Sequence, residues 1–132
     1  MTTYQVLIVD DEHDILESVQ MVLESGGYKV KSVDNGKQVL KLLQKEKFDL
    51  VLLDILMPEM SGNQVAEEIR KNPKTKNQKL AFLTVVTVGE QGKMVIQDLK
   101  PMDYIQKPFG IADFRKRIKK ILGLKHESHR SH

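Results

Sequence analysis

The runs YQVLIV (Tyr4–Val9), DLVLL (Asp49–Leu53) and KLAFLTV (Lys79–Val85) are almost continuously apolar, and no other feature constrains this chain as strongly. A strand with one wet face alternates apolar and polar residues, whereas a run without alternation needs cover on both faces, as parallel strands have. Two more strand-like runs accompany them. In YKVKSV (Tyr28–Val33), Lys29 and Lys31 alternate with apolar neighbours, which predicts an edge strand. The other is DYIQ (Asp103–Gln106).

Helical periodicity fills the intervals. Ile15, Val19, Val22 and Leu23 form one stripe, stopped by Gly26-Gly27, and Val39, Leu40, Leu42 and Leu43 form a second after Asn35-Gly36. Ser61 followed by Gln64 predicts a capping box for a third helix that ends near Asn72-Pro73. A fourth helix is expected over about Glu90–Leu99, and a fifth on Ile111, Phe114, Ile118, Ile121 and Leu122. Five strand–helix units in alternation specify an α/β fold with a parallel sheet and helices on both faces.

Composition removes several alternatives. No stretch approaches the roughly 20 apolar residues of a membrane helix, and the first residues lack the basic start of a secretory signal. The absence of cysteine excludes disulfides and thiolate metal sites and suits a cytoplasmic protein. Acids gather in DDEHD and bases in RKNPKTKNQK and FRKRIKKILGLKHESHRSH, so the net charge of +3 reads as solvated faces rather than a nucleic-acid surface. Residues 1–124 are expected to form one domain, and 125–132 a disordered basic tail carrying His126, His129 and His132. Met57, Met60, Met94 and Met102 read as packing or loop residues.

In open α/β sheets ligands bind beyond the carboxyl ends of the strands, a general rule of the architecture. Those ends carry Asp10, Asp11 and Glu12 after the first strand, Asp54 after the third, Thr84 at the fourth, and Lys107-Pro108 after the fifth. Two carboxylates 4 Å apart repel by about 4 kcal/mol at an effective dielectric near 20, so a cation or a proton must compensate. With oxygen donors and no His or Cys among them, Mg²⁺ is the best match, and phosphoryl chemistry on a carboxylate nucleophile follows. Glu12 reads first as a helix-start acid, and His13 is given no chemistry.

VDDE (Val9–Glu12), LLDILMPEMSG (Leu52–Gly62), FLT (Phe82–Thr84) and DYIQKPF (Asp103–Phe109), in that order and spacing, resemble the response regulator receiver domain of the single-domain chemotaxis type over roughly Tyr4 to Leu124. The resemblance implies a flavodoxin-like, CheY-like doubly wound sheet with strand order 2-1-3-4-5. It implies Asp54 as phosphoacceptor, with Asp10, Asp11, Asp54 and the Leu56 backbone carbonyl holding Mg²⁺ or Mn²⁺. Lys107 would pair with the phosphoryl oxygens and precede a cis bond to Pro108, while Thr84 and Tyr104 would switch. Pro58 and Gly62 would shape the loop after Asp54.

It further implies a two-component signalling protein rather than an enzyme, catalysing only its own phosphorylation and dephosphorylation. A histidine kinase or phosphotransfer protein would supply the phosphoryl group. An output protein would be met through the face of the fourth helix, fifth strand and fifth helix, where Lys93 would neighbour Tyr104. A phosphorylation-dependent homodimer is also expected, with no nucleic acid bound directly and no membrane insertion. The sequence as given encodes no output domain, so the expectation is docking on a partner or a fragment of something longer.

This chain departs from the family in placing Val85 after Thr84, where a small residue is usual, and in one extra residue between Thr84 and Lys107; Thr87 is a rival hydroxyl. Leu56 and Val86 are apolar beside the path of an attacking water, which predicts slow dephosphorylation. Three other readings compete. A pseudo-receiver would keep the fold and ignore phosphate. An aspartate-nucleophile phosphatase would need Asp-x-Asp rather than adjacent Asp10-Asp11. In a flavin domain, DDEHD would repel the cofactor phosphate.

Overall fold

The computed structural model describes residues 3–85 and 97–124. Five strands, β1 (Gln5–Val9), β2 (Lys29–Val33), β3 (Leu50–Leu53), β4 (Leu80–Thr84) and β5 (Tyr104–Gln106), form one parallel sheet in the order β2-β1-β3-β4-β5. The expected strands agree with these to within a residue at each end. Four helices are described: α1 (His13–Ser25), α2 (Gly36–Lys45), α3 (Gly62–Lys71) and α4 (Ile111–Ile121). Most of the helix expected over 90–99 lies outside the described residues, as do Val86, Thr87, Lys93, Met94 and the tail from 125.

The unbroken apolar runs occupy the middle of the sheet. Leu50, Val51, Leu52 and Leu53 have no solvent exposure at all, because alternate side chains pack into separate cores on the two faces. One core joins Leu7, Val51, Leu53 and Phe82 to Val39 of α2 and to Val65 and Ile69 of α3. The other joins Val6, Ile8, Leu50 and Leu52 to Val19 and Leu23 of α1 and to Phe114 and Ile118 of α4. β2 lies on an edge with Lys29 and Lys31 exposed, as its alternation predicted.

Local signals set the helix ends. Asn35 caps α2 by accepting from the Gln38 N–H, and Ser61 and Gln64 form the expected capping box of α3. Two apolar positions differ from the predicted stripes. Leu16 is buried in α1, whereas Ile111 is 52% exposed because it stands in the first turn of α4, before the helix reaches the core.

Candidate functional site

Register brings the strand-end residues together. Val9 pairs with Leu53, so Asp10 and Asp54 leave neighbouring strands side by side, and the Asp54 N–H donates to the Val9 carbonyl at 3.0 Å. Thr84 pairs with Gln106, and the Lys107 N–H donates to the Thr84 carbonyl at 2.8 Å. β1 and β5 lie three strand spacings apart, about 14 Å, yet beyond the strand ends the Lys107 side chain reaches Asp10.

The Lys107 ammonium lies 2.5 Å from Asp10 Oδ2, 3.6 Å from Asp54 Oδ2 and 3.9 Å from Glu12 Oε1. Asp10, Asp54 and Lys107 are all buried, at 1%, 4% and 7% exposure. Thr84 is wholly buried, and its hydroxyl hydrogen-bonds the Asp54 carboxylate. The Leu56 N–H donates to Asp54 Oδ1 at 3.2 Å. Burial raises the Asp54 pKa, and the charge of Asp10 raises it further; Lys107, the Leu56 N–H and Thr84 pull the other way without cancelling the rise.

One oxygen from each of Asp10, Glu12 and Asp54 lies within 4.8 Å of the others, a set able to hold a metal ion. Asp10 and Asp54 belong to the expected set. Glu12, taken first as a helix-start acid, joins them, and Asp11 beside it is exposed. Glu12 is the N-cap of α1 in an extended conformation (φ −95°, ψ 110°), and no side chain caps the helix there. Its N–H donates to Asp10 Oδ1 at 3.0 Å. Asp10 is buried, whereas Asp11 and Glu12 are both exposed, Glu12 with 62% of its side chain open to solvent. Three hard oxygen donors with no nitrogen or sulfur among them fit Mg²⁺.

The remaining expected residues surround this centre. Tyr104 is half-buried, packs against Phe82 with ring centroids 6.4 Å apart, and has its phenol pKa raised by burial and then by the charge of Asp54. The Lys107–Pro108 bond is cis. Gly62 is required by close approach, since a Cβ there would stand 2.2 Å from the Asp54 carbonyl oxygen. The Met60 N–H donates to the Pro58 carbonyl at 2.7 Å, folding the loop back after Asp54, and Glu59 within it has φ 67°. Leu56 and Val85 are more than half exposed at the mouth of the cleft.

Comparison with known proteins converges on one family. Residues 6–119 match the family described as the response regulator receiver domain. The alkaline phosphatase synthesis transcriptional regulatory protein PhoP of Bacillus subtilis is 34% identical over 121 residues, covering 89% of this chain and 48% of that protein. The response regulator SaeR of Staphylococcus aureus is 36% identical over 121 residues, covering 89% of this chain and 50% of its own. The chain thus spans about half the length of these two relatives. Among solved structures, the chemotaxis protein CheY4 of Vibrio cholerae superposes with a TM-score of 0.84 at 28% identity, over 91% of this chain and 99% of that one. The response regulator TrrA of Thermotoga maritima, solved in complex with Mg²⁺ and BeF, has a TM-score of 0.78 at 34% identity, over 90% of this chain and 99% of its own.

Proposed function

The chain belongs to the response regulator receiver family, and on that premise we propose that Asp54 accepts a phosphoryl group from a histidine kinase, a phosphotransfer protein or a small phosphodonor. The observation that carries this reading is the convergence of the Lys107 ammonium on the buried carboxylates of Asp10 and Asp54. An Asp54 oxygen attacks phosphorus, the bond from phosphorus to the donor nitrogen or oxygen breaks, and the donor atom keeps the electron pair. Lys107 then turns from carboxylate to phosphoryl oxygens as charge builds there, without leaving the cleft.

Asp10, Asp11, Asp54 and the Leu56 carbonyl are the groups that would hold Mg²⁺, or Mn²⁺ in its place, with Glu12 beside Asp10 and Asp54. When bound, the ion neutralises phosphoryl oxygens during transfer. Thr84, whose hydroxyl already bonds Asp54, exchanges that bond for one to the new phosphoryl group, and Tyr104 turns inward behind it. The phosphorylated state favours this arrangement as a population shift. The face of β5 and α4, together with the segment before β5, then changes its affinity for an output protein or a second copy of the chain. In this reading the protein works in the cytoplasm as a phosphoacceptor acting only on itself.

The direct experiment is intact-mass measurement after incubation with acetyl phosphate and Mg²⁺. A gain of about 80 Da, one phosphoryl group, is expected for the wild type and none for Asp54→Asn. No gain in the wild type would favour the phosphate-independent pseudo-receiver.

A further inference from the structure

At the end of the sheet opposite Asp54, a cleft of about 640 Å³ opens between the α2–β3 and α3–β4 connections. That size lies within the roughly 300–1,000 Å³ typical of small-molecule sites. Four lysines line it, Lys45, Lys47, Lys74 and Lys79, against two acids, Glu46 and Asp49.

The acids are already engaged. Glu46 pairs with Lys31 at 2.6 Å, and Asp49 accepts the Gln5 N–H at 2.8 Å. Lys79 is also engaged, donating to the Ile121 carbonyl at 3.1 Å. Lys45, Lys47 and Lys74 are exposed and have no ion-pair partner among the described residues. Lys45 also complements the carboxyl end of α2, a role that does not extend to Lys47 or Lys74 in the connections.

The walls are fixed before any ligand arrives. Gln78 Nε2 donates across the cleft to the Phe48 carbonyl at 2.9 Å. Arg70 donates to the carbonyls of Lys76 at 2.9 Å and Gln78 at 2.7 Å, so their negative ends are already occupied. A preorganised cleft with three uncompensated ammonium groups is matched to adjacent anionic oxygens.

We propose that this basal cleft binds the polyphosphate group of a free small molecule. Phe48 at its floor is only 7% exposed and offers no ring face for stacking, which argues against a single-stranded nucleic acid. The site is independent of the chemistry proposed at Asp54 and lies at the far end of the strands from it.

The test is a titration of the full chain with inorganic triphosphate, without divalent ions, followed by backbone amide NMR. Saturable shifts confined to residues 43–49 and 74–79 are expected, and sodium chloride at matched ionic strength should not reproduce them. The triple variant Lys45→Gln, Lys47→Gln, Lys74→Gln should bind about tenfold more weakly or worse. A control removing exposed charges on α4, Lys116→Gln with Lys120→Gln, should bind as the wild type does. Shifts spread over both basic faces, or equal weakening in the two variants, would overturn the proposal. So would tighter binding of a single-stranded oligonucleotide at the same residues.

Discussion

At Asp54 two effects favour the protonated acid, burial first and the Asp10 charge second, and the carboxyl pKa ends above its ordinary 3.8. A pKa raised on folding means that this group's contribution to stability is present below the unfolded value and is lost as pH rises through the folded one. Asp54→Asn is therefore expected to be more stable than the wild type near pH 7 without divalent ions, with the difference shrinking toward pH 3.8. Chemical denaturation at both ends of that range measures it, and a variant weaker at neutral pH would contradict the sign. Two residues on, Leu56 is 54% exposed and offers an attacking water no hydrogen bond. Leu56→Asn should speed phosphate loss from the phosphoprotein roughly tenfold, on the scale of one positioned hydrogen bond. Phosphate release followed over time decides this, and faster loss from the wild type rejects it. At this scale the sequence was legible for Asp10, Asp54 and Lys107, which the register places together. It was less so for Glu12, which stands beside Asp10 and Asp54 although its side chain is mostly exposed.

Among the elements, α3 does more than its capping box announces. Arg70 in its last turn donates to the carbonyls of Leu99 at 2.7 Å and Lys100 at 3.1 Å as well as to those of Lys76 and Gln78. One guanidinium thus ties the end of α3 to the approaches of both β4 and β5. Hydrogen bonds from a charged group contribute about 1.5–3 kcal/mol each but do not add fully, so Arg70→Met should cost about 3 kcal/mol. Urea unfolding checks the figure; a loss within about 0.5 kcal/mol, the range of an ordinary surface substitution, would show the clamp to be incidental. Nothing in the sequence marked Arg70, because its partners are backbone carbonyls up to 30 residues away, and a carbonyl carries no side-chain identity. The caps, by contrast, were readable because Ser61 and Gln64 act within one turn. Arg117 is a second long-range tie of this kind, gripping Asp103 at the start of β5 through one nitrogen at 2.9 and 3.0 Å and Asp113 at 2.9 Å.

For the whole molecule, an ion held by the folded acidic cluster and absent from the unfolded chain must stabilise the fold by mass action. Mg²⁺ at a hundred times its Kd should add about 2.7 kcal/mol. For a domain of this size that is a rise in Tm of about 10 °C. Thermal unfolding with and without Mg²⁺ measures the shift, and Asp54→Asn should reduce it; an identical rise in both proteins would place the ion elsewhere. Among the described residues no helix is long and apolar enough to cross a membrane. The alternation of unbroken apolar runs with helical stripes was enough to specify a parallel sheet covered on both faces, because burial leaves its period in the chain. The edge position of β2 followed from the same pattern, and the acidic cluster with Lys107 lies at the carboxyl edge. How Lys107 comes to meet Asp10 and where Arg70 finds its carbonyls were settled only on folding. Those outcomes depend on distances between residues remote in sequence, and such distances exist only once the strands are in register.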